Sequence, residues 1–142
     1  MAEPYAHIAC CLDGSPAGDA ALAAAIRTRS LGDGALTLVH VLEPGISTYT
    51  GYRPDEITDD LHDARSWMEQ MVAMAPGSQG VLLEGHPATA TVEWAREAGA
   101  DLLVAVRHRG AVEHLLLGSF AQHLAYNSPC TVMLVHPPGA GG

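Results

Sequence analysis

Five short apolar segments rich in β-branched residues alternate with segments of helical periodicity along this chain. The apolar segments are His7–Leu12, Ala35–Leu42, Gln79–Glu84, Leu102–Val106 and Thr131–His136. Strand and helix patterns that alternate in this way are typical of a parallel sheet flanked by helices. We therefore predict an α/β fold in which each segment is one strand of a single sheet.

The segments between the strands predict four helices. They cover Pro16–Ser30, Pro54–Ala75, Ala88–Ala98 and Ser119–Asn127. Right-handed crossovers from a central first strand give the strand order 3-2-1-4-5, a doubly wound, Rossmann-like sheet with helices on both faces. The 142 residues fit one such domain, with its core at about residues 6–136 and a flexible tail at 137–142.

Charge and composition exclude several classes of partner. The chain has 16 acidic residues against seven basic ones, none of which is lysine, and a formal net charge of −9. The absence of lysine excludes a Walker-type P-loop, and the acidic balance argues against a nucleic-acid surface. No apolar run approaches the ~20 residues of a membrane span, and the N-terminus lacks the layout of a signal peptide. We expect a cytoplasmic protein that binds neither membrane nor nucleic acid.

The adjacent residues Cys10 and Cys11 and the turn that follows them have separate expected roles. On a strand, neighbouring side chains point to opposite faces, so we expect both cysteines to be buried as small apolar residues. In the turn Asp13-Gly14-Ser15-Pro16, Ser15 is expected to cap the first helix and Pro16 to fit its first turn.

The candidate ligand residues fall at the predicted carboxyl edge of the sheet. Ligands of open α/β sheets bind where the strand order reverses, here between the first and fourth strands. Asp13 ends the first strand and faces the loop that begins at Arg107, and the end of the second strand at Val41 lies beside them. Gly118-Ser119 opens the last helix, whose free amides and dipole can hold a phosphate.

Five short motifs occur in a fixed order between His7 and Val135. They are Asp13–Ser15, Gly85–Ala88, Gly99–Val104, Leu115–Ser119 and Ser128–Val132. The ordered set resembles the universal stress protein family. That resemblance implies a homodimer of doubly wound domains paired through the last strand, Thr131–His136.

The resemblance also implies a ligand site. In the ATP-binding branch of the family, an aspartate at the position of Asp13 contacts the nucleoside, and backbone at the position of Val41 contacts adenine. The phosphates lie on a loop of the form Gly-x2-Gly-x9-Gly-(Ser/Thr), which ends here at Gly118-Ser119.

The first half of that phosphate loop departs from the family pattern. Its two earlier glycines fall, in the two alignments that the spacing allows, on Ala105 and His108 or on Val106 and Arg109. A Cβ at these positions obstructs positive φ and close approach of the backbone amides to phosphate. Arg107 and Arg109 could supply positive charge instead, because arginine binds phosphate oxygens bidentately.

Two functional hypotheses remain open. The first is a non-enzymatic stress-response module that acts through a crevice ligand or contacts with an unidentified protein partner, its loop having lost nucleotide binding or taken another anionic ligand. The alternative is an ATP-binding protein in which Mg²⁺ enters only with the nucleotide and hydrolysis is slow. No general base or paired-carboxylate magnesium site is evident beside Gly118, and the eight histidines lack metal-ligand spacing. We therefore predict no catalytic residue and no resident metal.

Overall fold

Nine helices and strands form the described part of the chain. A computed structural model describes residues 5–43, 54–107 and 118–136, with the backbone alone at 54–60. The strands are β1 (His7–Cys11), β2 (Ala35–Leu42), β3 (Gln79–Glu84), β4 (Leu102–Val106) and β5 (Thr131–Val135). The helices are α1 (Gly18–Arg29), α2 (Pro54–Met74), α3 (Pro87–Ala98) and α4 (Ser119–Asn127). Each predicted element is present, with ends that differ from the predicted ones by two residues at most.

All five strands are parallel, and their order across the sheet is β3-β2-β1-β4-β5. The predicted order is therefore confirmed. Ile8 of β1 lies opposite Leu36 of β2 and Leu102 of β4. The strand order reverses at the junction of β1 with β4, so the crevice expected there opens at the centre of the sheet.

The adjacent cysteines of β1 pack on opposite faces of the sheet. Cys10 belongs to the cluster that includes buried residues of α1 and α2, and Cys11 belongs to the cluster that includes buried residues of α3 and α4. Burial raises the pKa of both thiols, that of Cys11 to about 12. Both cysteines are therefore small apolar core residues at neutral pH, as the alternation of strand side chains predicts.

Asp101 joins the starts of β1 and β4. Its carboxylate accepts hydrogen bonds from the backbone N–H groups of Ala6 at 2.7 Å and His7 at 2.9 Å. Its own backbone N–H donates to the carbonyl of His7 at 3.0 Å. The chain reaches this position because α3 ends at Gly99, which adopts the left-handed conformation with φ 73°. In the Gly-Ala-Asp motif, Gly99 thus forms the turn after α3, and Asp101 joins the starts of β1 and β4 through its hydrogen bonds.

The predicted cap of α1 is wrong. The helix begins at Gly18, two residues later than expected, and Ala17 occupies the capping position without a side-chain hydrogen bond. The hydroxyl of Ser15 instead donates to Oδ1 of Asp13 at 2.7 Å. The charged carboxylate is a strong acceptor for the Ser15 hydroxyl, and this bond directs the side chain into the turn and away from the helix amides. The predicted flexible tail lies outside the described residues.

Candidate ligand site

A cavity of about 460 Å³ lies at the carboxyl end of the sheet. Residues at the ends of β1, β2 and β4 form its floor, and residues from the first turns of α1, α3 and α4 contribute to its walls. This is the crevice beside the β1–β4 junction at which the strand order reverses. Its position follows from the parallel topology, because all strands deliver their carboxyl ends to the same edge.

Three of the residues predicted to bind a ligand line this one cavity. They are Asp13 after β1, Val41 near the end of β2 and Ser119 at the start of α4. Gly118 caps α4 with extended backbone (φ −61°, ψ 158°), so the Gly-Ser pair opens the helix as expected. The structure thus brings together residues that are more than 100 positions apart in sequence.

Neither of the two arginines predicted to contact a phosphate is among the described residues that line the cavity. Arg107 is half-buried, and its backbone N–H donates to the carbonyl of Val135 at 2.8 Å, which continues the β4–β5 pairing. It is not among the described residues that line the cavity. Arg109 lies outside the described residues. The expectation that these arginines contact a phosphate stays a prediction.

Asp13 is held at the tip of β1 by the turn that follows it. Its Oδ1 accepts hydrogen bonds from the backbone N–H of Ser15 at 2.9 Å and from the hydroxyl of the same residue. Gly14 between them has a φ of 86°, a conformation that favours glycine. The carboxylate is exposed and borders the cavity, so it can accept further hydrogen bonds from the hydroxyl groups of a ligand.

Val41 lines the cavity, and no strand among the described residues pairs with its backbone on the β1 side. Along a strand, alternate residues direct their N–H and C=O groups to opposite neighbours. The carbonyl of Val39 accepts from the N–H of Leu12 at 2.8 Å, so Val39 and Val41 both face the β1 side. The β1–β2 ladder ends at Cys11 and Val39. The backbone N–H and C=O groups of Val41 therefore point towards the β1 side at a level beyond the last residue of β1.

His40 presents a hydrogen-bond acceptor at the cavity. Its Nδ1 lies 2.7 Å from the carbonyl oxygen of Leu12, and a carbonyl only accepts, so Nδ1 carries the hydrogen. In the neutral ring, Nε2 then has a free lone pair. The edge of the ring also packs against Trp67, with the ring centroids 4.9 Å apart. These contacts fix both the position and the tautomer of the imidazole.

His86 and His123 form a second feature of the cavity wall. His86 caps α3, where its Nδ1 accepts a long hydrogen bond of 3.4 Å from the backbone N–H of Thr89. His123 lies one turn after Ser119 on α4. The centroids of the two imidazoles are 6.4 Å apart, and their planes are tilted by 59°. Two helices thus bring two rings to one side of the cavity.

Sequence reasoning missed these three histidines as cavity residues. Their separation along the chain is large, and none pairs with another at the spacing of a helical metal site. The available signal was position at the carboxyl end of the sheet, since His40 lies near the end of β2, His86 follows β3, and His123 lies in the second turn of α4. Within the described ranges, no three His, Cys, Asp or Glu side chains form a group that could hold a metal ion.

The family model for universal stress proteins matches residues 4–136 of this chain. The chain belongs to the universal stress protein family. A relative from Thermus aquaticus, the universal stress protein in the QAH/OAS sulfhydrylase 3′ region, is 33% identical over 128 residues. That match covers 87% of this chain and 93% of the relative. The resemblance seen in the ordered motifs is confirmed.

Solved structures of the family share the fold. A universal stress protein in complex with cAMP has a TM-score of 0.73 at 22% identity, covering 94% of this chain and 98% of its own. The universal stress protein from Archaeoglobus fulgidus in complex with dAMP has a TM-score of 0.66 at 20% identity, covering 92% and 98%. At these identities the similarity establishes the fold. None of the helices in the described part of this chain is long and apolar enough to cross a membrane.

Proposed function

We propose that this universal stress protein is a non-enzymatic module that binds an adenine nucleotide in the cavity at the carboxyl end of its sheet. The observation that carries the proposal is that Asp13, Val41 and Ser119 line one cavity. Relatives with the same fold have been solved in complex with cAMP and with dAMP, which are both adenine nucleotides. The cytoplasm is the compartment in which we expect the protein to act.

The backbone of Val41 suits the adenine ring. Adenine presents a hydrogen-bond donor and an acceptor side by side, and one strand residue with unpaired N–H and C=O groups offers the complementary pair. The ladder between β1 and β2 ends before Val41, which leaves both groups facing the cavity side. Cavity residues such as Leu12, Val39 and Val106 add apolar surface for the faces of the ring.

Asp13 and Ser119 suit the sugar and phosphate. A carboxylate at the strand tip can accept hydrogen bonds from sugar hydroxyls, and Asp13 is exposed at the tip of β1 beside the cavity. Ser119 stands in the first turn of α4, where backbone N–H groups lack partners within the helix and the helix dipole attracts negative charge. Together the three residues offer partners for the base, the sugar and the phosphate of a nucleoside monophosphate.

We infer that the protein binds the nucleotide without hydrolysing it. The described carboxylates that line the cavity are Asp13 and Glu43, and Asp13 already accepts two hydrogen bonds from Ser15. Phosphoryl transfer needs a positioned nucleophile and metal-held phosphates as well as a binding pocket. The competing hypothesis is ATP binding with Mg²⁺ and slow hydrolysis, and the experiment below separates the two.

The decisive experiment is calorimetric titration with adenosine, AMP and ATP plus Mg²⁺, after co-purified nucleotide has been removed and identified by chromatography. We expect micromolar affinity for AMP, no phosphate release from ATP, and about tenfold weaker AMP binding in Asp13→Ala. His62→Ala is the control, because His62 is exposed and is not among the described cavity residues. Absence of binding by all three ligands would overturn the proposal, and steady phosphate release would favour the competing hypothesis.

We further propose that the protein forms a homodimer through β5. This strand pairs with β4 on one side and ends the described sheet on the other. Its residues Val132–Val135 are only half-buried, which leaves an edge with unpaired backbone groups and apolar side chains. Light scattering at micromolar concentration should give twice the chain mass. Leu134→Asp should reduce that mass to one chain, and a monomeric wild-type protein would contradict the proposal.

A further inference from the structure

The capping role of His86 determines which of its ring nitrogens carries hydrogen. The backbone N–H of Thr89 donates to Nδ1 of His86 at 3.4 Å, and the Thr89 hydroxyl lies at the same distance and can donate to it as well. Both contacts are satisfied when the hydrogen of the neutral ring is on Nε2. This is the opposite tautomer to that of His40, whose Nδ1 faces a carbonyl. The two imidazoles therefore differ in chemistry, because His40 offers an acceptor and His86 offers an N–H donor.

His123 supplies a second donor close to the first. No hydrogen bond involves its ring within the described structure, and a neutral imidazole always keeps one N–H. Side chains on a helix lean towards its N-terminus, so His123 covers the first turn of α4, which contains Ser119. Ring centroids 6.4 Å apart allow each imidazole to direct an N–H at a different oxygen of one small anion, with hydrogen bonds of about 2.8 Å.

The donors at the cavity support the same assignment. The chain contains no lysine, and no arginine is among the described residues that line the cavity. Among these described lining residues, the ring N–H groups that could meet an anion belong to His40, His86 and His123. The ring of His40 donates to the carbonyl of Leu12 and packs against Trp67. His86 and His123 are therefore the histidines that can meet an anionic group.

We propose that His86 and His123 form a phosphate subsite of the cavity, in which the two imidazoles hold the phosphate of a bound nucleotide between α3 and α4. This inference rests on the proposed nucleotide-binding function and adds the residues that contact the phosphate. The pair adds a phosphate contact to those expected of Arg107 and Arg109, which stay a prediction.

The test compares AMP with adenosine, because only AMP carries the phosphate. Calorimetric titrations are made with the wild-type protein and with His86→Asn, His123→Ala and the control His62→Ala. Asparagine is a strong helix cap, so His86→Asn keeps an acceptor for the N–H of Thr89 and removes the imidazole with its N–H. Alanine is favourable in a helix, so His123→Ala keeps α4. Thermal unfolding of each variant checks that the fold is retained.

We expect each cavity variant to bind AMP about tenfold more weakly than the wild type, with unchanged affinity for adenosine and no change in His62→Ala. Unchanged AMP affinity in both cavity variants would overturn the subsite while leaving the proposed function intact. An equal loss for AMP and adenosine would also overturn it, because the histidines would then contact the nucleoside. Failure of the wild-type protein to bind either ligand would overturn the proposed function and the subsite together.

Discussion

The carboxylate of Asp101 should stabilise the fold more than any exposed acidic residue does. In Asp101→Asn, one of the two carboxylate oxygens becomes an NH₂ group that faces a backbone N–H. One of the bonds to Ala6 and His7 is lost, and the remaining one no longer has a charged acceptor. A hydrogen bond to a charged group contributes about 1.5–3 kcal/mol, and this site is partly exposed, so we expect a loss of about 2 kcal/mol.

Equilibrium unfolding in urea measures this loss. The midpoint of Asp101→Asn should fall while the slope stays unchanged, because the same surface is exposed on unfolding. A loss of this size is a substantial part of a total stability of about 5–15 kcal/mol. The matched control is Glu97→Gln, which removes the charge of an exposed carboxylate near the end of α3 and should change stability by less than about 0.5 kcal/mol. Equal urea midpoints for Asp101→Asn and the Glu97→Gln control would refute the stabilising role of the Asp101 carboxylate.

Two further predictions concern the core and the cavity. Burial raises the pKa of Cys11 from 9.0 to about 12, so the folded thiol stays protonated while the unfolded one ionises. Cys11 should therefore contribute about 1.4 kcal/mol per pH unit to the fall in the free energy of unfolding between pH 9 and 12, in addition to the contribution of Cys10. Cys11→Ala should remove the Cys11 contribution and leave that of Cys10 in alkaline urea titrations. In Gly18→Ala, the new Cβ meets Leu12 at 3.5 Å, an ordinary contact. The variant should keep its thermal midpoint yet bind AMP more weakly, because Gly18 lines the cavity.

The fold was predictable because local patterns and topology rules agree. Buried β-branched segments predict the strands, and right-handed crossovers between parallel strands leave few arrangements. The same rules predict that Asp13 and Val41 meet at the carboxyl edge. Ser15 was misassigned because capping propensity considers the helix alone, whereas the carboxylate two residues earlier competes for the same hydroxyl.

The chemistry of the histidines was not predictable from the sequence. His40, His86 and His123 come from three separate segments, and only the folded chain brings them to one cavity. Their tautomers depend on a carbonyl and an N–H group from neighbouring turns, which no residue pattern reveals. The sequence motifs point to Arg107 and Arg109 for the phosphate contact, and that expectation stays a prediction.

The most direct test of the account is to follow the backbone amides of the wild-type protein in nitrogen–proton correlation spectra as AMP is added. We predict saturable shifts at Val41, Asp13 and Ser119, which line the cavity. The signals of amides at the amino end of the sheet, such as those of Gly77 and Gln79, should not shift. Spectra without saturable change at the cavity residues, at AMP concentrations well above micromolar, would contradict the claim that this cavity binds an adenine nucleotide.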